Sequence, residues 1–368
     1  MIGSDFTHKF AEKKTVRRVK RHWLTIAFFL GFVVDNLTLN RVDQLFDNLI
    51  LASYVLLGFL SLYFLYASAA ERFPERINDF ARKYAPVVVQ YAFGGLISGM
   101  LIFYGRSGAW IESWPFLLIF LVVIYLNETV KDRTGRLVYN LAILFIGLFS
   151  YVVLVIPVIT GYMGPWVFVG SGLLALIIMH RFVMVLTHVI PRFMHIHMRV
   201  VVFTLGTIFA GFNFLYFANI IPPIPLSLID AGIYHSVVRF ETGEYQLKYE
   251  GGRWFEPFKN SDDTFHVQPG DNVFCFARVF APTRISTDIY HDWEYFDEEK
   301  EEWTRHVRIN YPIAGGKGSG YRGYTFIQNY REGKWRCNVE TERGQVLGRE
   351  SFRIDVEGEP RELETRLE

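Results

Sequence analysis

The sequence predicts an all-α bundle of transmembrane helices followed by an all-β sandwich. Apolar runs of about 20 residues recur up to Ile221, Pro222, Pro223 and Pro225 follow the last run, and short alternating segments fill the rest. A helix of this length crosses the roughly 30 Å hydrocarbon core of a bilayer. Proline cannot continue a helix because it lacks the N–H donor. The junction is therefore a last transmembrane helix followed by a stiff spacer.

Composition and charge divide at the same place. The chain has 368 residues, 51% of them hydrophobic, and its mean hydropathy of +0.18 averages a very apolar first part with a more polar second part. Basic residues stand before the first apolar run: Lys9, Lys13, Lys14, Arg17, Arg18, Lys20 and Arg21. They are typical of a cytoplasmic tail close to anionic lipid, which we assign to residues 1–22. A plain topology signal is favoured over a regulated lipid switch.

Seven segments are predicted to cross the membrane, within a helical domain at residues 23–221. They are 23–34, 45–67, 84–104, 114–127, 137–159, 164–186 and 200–221, and the fourth is short. The first segment follows a basic region, as a signal-peptide core does, but no small-x-small cleavage pattern comes after it. We therefore expect an uncleaved first helix.

The distribution of Lys and Arg predicts the orientation of these helices. With a cytoplasmic N-terminus, the inner loops carry Arg72, Arg76, Arg82, Lys83, Lys131, Arg133, Arg136, Arg181, Arg192 and Arg199. The outer loops carry chiefly Arg41 and Arg106. Because basic residues accumulate on the cytoplasmic side, seven spans place the chain after Ile221 on the outer face. In a bacterium with two membranes, the helices lie in the inner membrane and the later domain in the periplasm.

Few ionisable residues fall inside the predicted spans. Asp35 lies late in the first span, and Asp43 and Asp47 follow one helical turn apart, so their oxygens could hold a cation. The favoured alternative is an outer loop whose acids cap helices and pair with Arg41. The third span contains glycines 94, 95 and 99, a small-xxx-small spacing that predicts an internal packing seam ahead of a dimer interface.

Short alternating segments after Pro225 predict an antiparallel β-sandwich of the immunoglobulin-like type. Eight strands are predicted, at 233–240, 244–249, 273–281, 285–296, 303–311, 324–329, 334–341 and 346–356. Turn residues such as Gly251-Gly252 separate them, without helical patterns between. We expect a Pro-rich linker at 222–232, the sandwich at 233–357 and a charged tail at 358–368.

Three runs in this second part resemble an uncharacterised bacterial domain family that ends membrane-anchored and secreted proteins. They are His291-Asp292-Trp293, Gly333-Lys334-Trp335-Arg336-Cys337 and Gly344-Gln345-Val346-Leu347-Gly348, which match its H-x-W, G-x-W and G-x-x-L-G motifs. The resemblance covers about residues 271–356, and Cys337 stands where the family usually has an aliphatic residue. It implies a small sandwich for adhesion or interaction, with no assigned activity.

The sequence lacks the signatures of the common catalytic sites. GxSxG, HExxH and Cys-His patterns are absent, and His291 alternates onto the apolar face beside Trp293, which predicts a core histidine. The glycine-rich segment 314–323 lacks the GK[ST] of a phosphate loop and is predicted to be a hairpin connection or a binding loop. We expect a non-enzymatic protein with no cofactor and no nucleic-acid partner.

Two functions remain open from sequence. The first is a membrane protein whose sandwich binds a protein or glycan partner, and the second is a transporter or sensor whose bundle carries the activity. The scarcity of buried charge and of broken helices favours the first. Exposed aromatic residues make efficient contacts, so the predicted binding residues are Tyr290, Tyr321, Arg322, Tyr324 and Tyr330.

The chain has two cysteines, Cys275 and Cys337, and both lie in the part placed outside the cytoplasm. Each stands in the middle of a predicted strand, so a bridge across the core beside Trp335 is predicted. The alternative is two buried free thiols, because Phe274 and Phe276 compete for the inward face of their strand.

Overall fold

The structure is a computed structural model that describes residues 33, 35–39, 41, 43–106, 114, 118, 121–122, 137–223, 225–252, 259–268, 270–315 and 318–368. The predicted basic tail, and most of the predicted first and fourth spans, lie outside these residues. Contacts divide the chain into a helical unit that ends at Asn213 and a β-sheet unit formed by Phe214–Glu368 together with two shorter segments, Phe103–Phe116 and Ile156–Val167.

Five described helices are long and apolar enough to cross a membrane. They are α1 (Leu45–Ala69), α2 (Glu75–Arg106), α3 (Leu137–Thr160), α4 (Pro165–Val189) and α5 (Pro191–Phe217). The shortest, α3, has 24 residues and measures about 36 Å at 1.5 Å per residue, which exceeds the hydrocarbon thickness. Each corresponds to one predicted span, whereas the predicted total of seven extends beyond the described residues.

The last helix differs from its predicted bounds of 200–221. It begins at Pro191, since proline is tolerated in the first turn, where its missing N–H would have no partner. It ends at Phe217 because Asn219 adopts a φ of +56° and the amides of Asn219 and Ile220 bind back to the carbonyls of Tyr216 and Leu215.

Glycines of α2 lie against α1. A Cβ built at Gly95 would lie 2.5 Å from Cζ of Tyr54, and one built at Gly99 would lie 2.6 Å from Cδ2 of Leu51. The small residues therefore let two helices of the same chain approach closely, which agrees with the internal packing seam expected from sequence.

The β-sheet unit contains eleven described strands. They are β1 (Ser227–Tyr234), β2 (Ser236–Arg239), β3 (Tyr245–Glu250), β4 (Thr264–His266), β5 (Val273–Phe280), β6 (Ser286–Asp297), β7 (Glu302–Ala314), β8 (Tyr321–Ile327), β9 (Gly333–Thr341), β10 (Val346–Asp355) and β11 (Leu363–Leu367). They form three sheets, in the orders β1-β5-β8, β4-β10-β9-β6-β7 and β11-β3-β2. Neighbouring strands are antiparallel except for the parallel pair β4 and β10.

The sheets pack as three layers with β5 in the middle layer. Val273 and Cys275 of β5 lie in a core cluster with Trp293 and Trp335 of the five-stranded sheet. Phe276, on the opposite face of β5, packs with residues of β3 in the other three-stranded sheet. The two faces of β5 are therefore both buried. This arrangement explains why large apolar residues follow one another along the strand without alternation.

Both ends of the predicted sandwich need correction. β1 begins at Ser227, inside the predicted linker 222–232, and Leu226 is buried in the core, so this segment packs against the sheets and is not a free spacer. β11 lies inside the predicted charged tail 358–368 and pairs with β3. The positive charge of Arg366 on this strand has a counter-charge in Asp230, because Arg366 Nη2 donates to Asp230 Oδ2 at 2.6 Å.

Candidate functional site

A disulfide joins Cys275 of β5 to Cys337 of β9, with their Cα atoms 6.6 Å apart. It links the middle sheet to the five-stranded sheet, and Trp293 and Trp335 are buried in the same cluster. Both sulfurs are used in this bond. The inward faces of β5 and β9 meet there because Phe274 and Phe276 have their own layer on the other side.

His291 lies close to the two cysteines, near enough for the three to be ligands of one ion. Its ring nitrogens are already engaged, Nδ1 with Thr325 Oγ1 at 2.9 Å and Nε2 with the Tyr311 hydroxyl at 3.1 Å. Burial lowers the pKa of His291 to about 3, so the ring is neutral. With the sulfurs bonded to each other, this is a core histidine with satisfied hydrogen bonds, as its alternation predicts.

The five predicted binding residues do not form one surface. Tyr290 lies on β6 of the five-stranded sheet, whereas Tyr321, Arg322 and Tyr324 lie on β8 of the middle sheet. Tyr321 and Tyr324 pack against core clusters. Tyr330 packs against another cluster, and its hydroxyl donates to the carbonyl of Asp271 at 3.0 Å. Of the five, Tyr290 therefore keeps a position suited to contact with a partner.

Tyr290 belongs to an ordered polar surface on the outer side of β6, β7 and β9. We call this surface the arginine face and define it as Tyr290, Asp292, Glu294, Trp303, Arg305, Arg308, Arg336 and Glu340. On β7, the pairing with β6 shifts register between Arg305 and Val307, which leaves His306 as an extra residue. This bulge brings Arg305 and Arg308 to the same face, although strict alternation would place them on opposite faces.

Each arginine of this face is held by a carboxylate of another strand of the same sheet. Arg305 donates two hydrogen bonds of 2.7 Å to Asp292, Arg308 Nε donates to Glu340 Oε1 at 2.6 Å, and Arg336 Nε donates to Glu294 Oε2 at 2.5 Å. Burial raises the pKa of Glu340, and the adjacent guanidinium of Arg308 opposes this rise. Such charge-assisted contacts fix the guanidinium planes.

Aromatic rings lie beneath two of these guanidinium groups. Arg308 Cζ is 4.0 Å from the ring centroid of Tyr290, and Arg336 Cζ is 4.2 Å from that of Trp303. The side chain of Asp292 is only 3% exposed, whereas that of its partner Arg305 is 59% exposed. The face therefore presents the head group of Arg305 most fully, while the Arg308 and Arg336 side chains, 26% and 17% exposed, lie lower against the carboxylates and rings.

The acidic residues proposed from sequence as a cation site, Asp35, Asp43 and Asp47, have separate partners. Asp35 accepts hydrogen bonds from Tyr54, at 3.1 Å, and from Ser98. Asp43 forms an ion pair of 2.7 Å with Arg41, and Asp47 accepts from the backbone N–H of Arg41 at 2.9 Å. This arrangement agrees with the favoured alternative, an acidic loop paired with Arg41.

Comparisons with known proteins bear mainly on the β-sheet unit. An immunoglobulin-like protein from Pseudomonas aeruginosa is 12% identical over 35% of this chain and 96% of that chain, with a TM-score of 0.20. An alkylpurine DNA glycosylase from Pseudomonas fluorescens, bound to DNA containing an abasic site analog, is 11% identical over 81% of this chain and 77% of that chain, with a TM-score of 0.21. With TM-scores this low, neither structure supports a conclusion about the fold or function of this chain. No curated protein matches the chain.

The family comparison gives a clearer result. Residues 286–354, from the start of β6 to the penultimate residue of β10, match a family described as a protein of unknown function, DUF2914. This range contains four of the five strands of the five-stranded sheet and all eight residues of the arginine face. The C-terminal region of this chain therefore carries a DUF2914 domain.

Proposed function

We propose that this chain is a multi-pass inner-membrane protein that holds its β-sheet unit outside the cytoplasm. In a bacterium with two membranes, the unit is periplasmic and binds a protein partner through the arginine face. The observation that carries the binding proposal is the row of guanidinium groups held by carboxylates and aromatic rings. The proposed function is therefore binding of a partner and not catalysis.

Two observations support the compartment. Lys and Arg collect in the loops expected on the cytoplasmic side, and with seven spans this supports a position on the other side for the residues after α5. Both cysteines of the chain form a disulfide in the β-sheet unit, and disulfides persist outside the reducing cytoplasm. The two observations are independent, because one concerns the helical segments and the other the sheets.

The chemistry of the arginine face favours a protein partner. Arginine, tyrosine and tryptophan are enriched at protein interfaces, where they supply most of the binding energy. The salt bridges and stacked rings fix these side chains before binding, so less conformational entropy is lost on association. A partner with exposed carboxylates or carbonyl groups would meet the guanidinium of Arg305, whose side chain is 59% exposed.

Site-specific photo-crosslinking in intact cells tests this proposal. A crosslinking amino acid at Asn310, which is exposed on β7 next to the arginine face, should capture one defined protein. The same residue at Val238, which is 45% exposed on β2 of a different sheet, is the matched control and should capture none. The purified partner should then bind the purified chain, and binding should weaken at least tenfold with Arg336→Ala.

Equal capture from Asn310 and Val238, or no capture from either, would contradict the arginine face as the binding surface. A captured species that a glycosidase removes would indicate a glycan partner instead. Thermal unfolding of Arg336→Ala must be measured in parallel. A folded variant with unchanged binding would also count against the proposal.

A transporter or sensor is the second candidate, and one observation favours it. The Asp35 carboxylate is buried and accepts hydrogen bonds from Tyr54 and Ser98, and buried carboxylates among apolar helices often mark ion pathways. Ion flux in liposomes that contain the purified chain, abolished by Asp35→Asn, would establish this function. Absence of flux would leave the interaction function in place.

A further inference from the structure

Three arginines lie at the edge of the space between the middle sheet and the sheet β11-β3-β2. Arg278 of β5 and Arg322 of β8 are directly opposite each other, on the face of the middle sheet that carries Phe276. Arg239 of β2 is directly opposite Tyr245 of β3, and Tyr245 is buried in the same cluster as Phe276. Opposite residues of paired strands share a face. The strand registers therefore direct the three arginines into one space between two sheets.

Tyr245 lies where two of these arginines come together. Its hydroxyl donates to the backbone carbonyl of Arg322 at 3.3 Å, and Arg239 Cζ is 5.9 Å from the centroid of its ring. Burial raises the pKa of the Tyr245 hydroxyl, and the positive charges of Arg239 and Arg322 oppose this rise. Both guanidinium groups are therefore close to this tyrosine. We call Arg239, Tyr245 and Arg322 the Tyr245 site.

The neighbouring arginines have counter-charges. Arg278 Nη1 donates to Glu368 Oε2 at 2.9 Å, and Arg366 of β11 donates to Asp230 of β1 as described above. These two pairs account for the carboxylates that are bonded to arginine in this space. Neither pair includes an arginine of the Tyr245 site.

Arg239 and Arg322 have no ion pair with any described residue. The acidic residues of the turn between β2 and β3, Glu241 and Glu244, are exposed and are not paired with them. Arg322 Nε is buried and has no hydrogen-bond partner among the described residues, so the guanidinium group reaches into the space between the sheets. Two positive charges beside one tyrosine repel each other, and an anion between them would remove this repulsion.

The number of donors and the charge favour a phosphate group. One guanidinium group can satisfy both oxygens of a carboxylate through two parallel hydrogen bonds, so a carboxylate would leave the second arginine unused. Phosphate has further oxygens for that arginine. A phosphate monoester also carries about 1.5 to 2 negative charges at pH 7, which balances the two unpaired arginines.

We propose that Arg239 and Arg322 bind a phosphate group beside Tyr245, as free phosphate or as a phosphate monoester. The two arginines come from β2 and β8, which belong to different sheets, so a bound phosphate would link these sheets at their edge. Arg322 is one of the five binding residues predicted from sequence. The site is separate from the arginine face, which lies on the five-stranded sheet, and it does not depend on the proposed protein partner.

Titration of the purified full chain in a neutral detergent with inorganic phosphate tests the proposal. Calorimetry should show one phosphate per chain, and phosphate should raise the thermal midpoint, whereas chloride at equal ionic strength should not. Arg239→Gln and Arg322→Gln should each weaken binding at least tenfold and remove this rise. Arg353→Gln is the matched control, because Arg353 is an exposed arginine on β10 of the five-stranded sheet, and it should bind like the unchanged chain.

Glycerol 3-phosphate distinguishes the two sources of the phosphate group. Binding at least tenfold tighter than that of inorganic phosphate would assign the site to a monoester, and equal binding would show that the phosphate group alone is recognised. Either result supports the proposal. Absence of binding of both probes by the unchanged chain would overturn it, and so would binding that both arginine variants retain.

Protection from chemical modification gives a readout that does not depend on a variant folding. In the unchanged chain, phosphate should slow the reaction of Arg239 and Arg322 with phenylglyoxal at least tenfold, as mapped by mass spectrometry. It should not slow the reaction of Arg353. Equal rates of modification of Arg239 and Arg322 with and without phosphate would overturn the proposal.

Discussion

Reduction of the Cys275–Cys337 disulfide should lower the free energy of unfolding of the β-sheet unit by about 4 kcal/mol. The two cysteines are 62 residues apart in the chain. In the chain-entropy model, a loop of this length removes about 14 cal/mol/K from the unfolded ensemble, which is about 4 kcal/mol at 25 °C. Small domains are typically stable by about 5–15 kcal/mol, so the bond supplies a large share.

The structure indicates that the disulfide stabilises the protein mainly by restricting the unfolded chain. Both cysteines are fully buried in one apolar cluster, so the reduced thiols would occupy the same space and remain out of water. The folded state should therefore keep its secondary structure after reduction. The denaturation midpoint should fall, and the denaturant slope should rise, because the reduced unfolded chain is less compact and exposes more surface.

The assay is urea unfolding of the full chain in detergent with and without a reductant, followed by tryptophan fluorescence. Cys275→Ala with Cys337→Ala is the control, and its unfolding should not respond to the reductant. A difference below about 1 kcal/mol between oxidised and reduced protein would refute the loop argument. Complete thiol labelling of unfolded, unreduced protein would show that the bond does not form.

Two further predictions concern the sheets and the helices. Burial raises the pKa of Glu350 to about 7, so the folded state holds its proton more tightly than the unfolded state, and stability falls as pH rises from about 4.5 through 7. The free energy of unfolding of Glu350→Gln should therefore equal that of the unchanged chain at pH 5 and exceed it by up to about 3 kcal/mol at pH 8. Urea unfolding that depends on pH in the same way in both proteins would contradict this. Gly95→Ala should destabilise the helical unit by about 1–3 kcal/mol, because the new methyl group meets the Tyr54 ring. Thermal unfolding in detergent measures both variants. Gly170→Ala, whose added methyl group meets nothing within 4 Å, should be as stable as the unchanged chain. Equal losses of stability in Gly95→Ala and Gly170→Ala would exclude the close packing of Gly95 against Tyr54.

The helices and most strands could be predicted from sequence because their patterns are local. Long apolar runs required helices, and alternation between turn residues located eight strand segments. β11 could not be predicted, because its charged residues Glu364 and Arg366 are typical of a solvated tail. Its strand conformation depends on distant parts of the chain: β3 supplies the hydrogen bonds and Asp230 supplies a counter-charge for Arg366. β4 has three residues, which is too short for a periodic pattern.

The candidate sites were harder to predict because they depend on which strands are neighbours. The sequence predicts Tyr290 as a contact residue, but its stacking with Arg308 depends on the pairing of β6 with β7 and on the bulge at His306. Arg308 and Glu340 of the arginine face are 32 residues apart in the sequence. No spacing rule joins them, and the fold alone brings them together.

A pair of reporter fusions tests whether the β-sheet unit lies outside the cytoplasm. A reporter that functions only outside the cytoplasm is fused after Val356 in one strain and after Arg82, in the first turns of α2, in another. We predict an active reporter after Val356 and a silent one after Arg82. A silent reporter after Val356 with an active one after Arg82 would contradict the orientation, the compartment of the disulfide and the proposed periplasmic partner together.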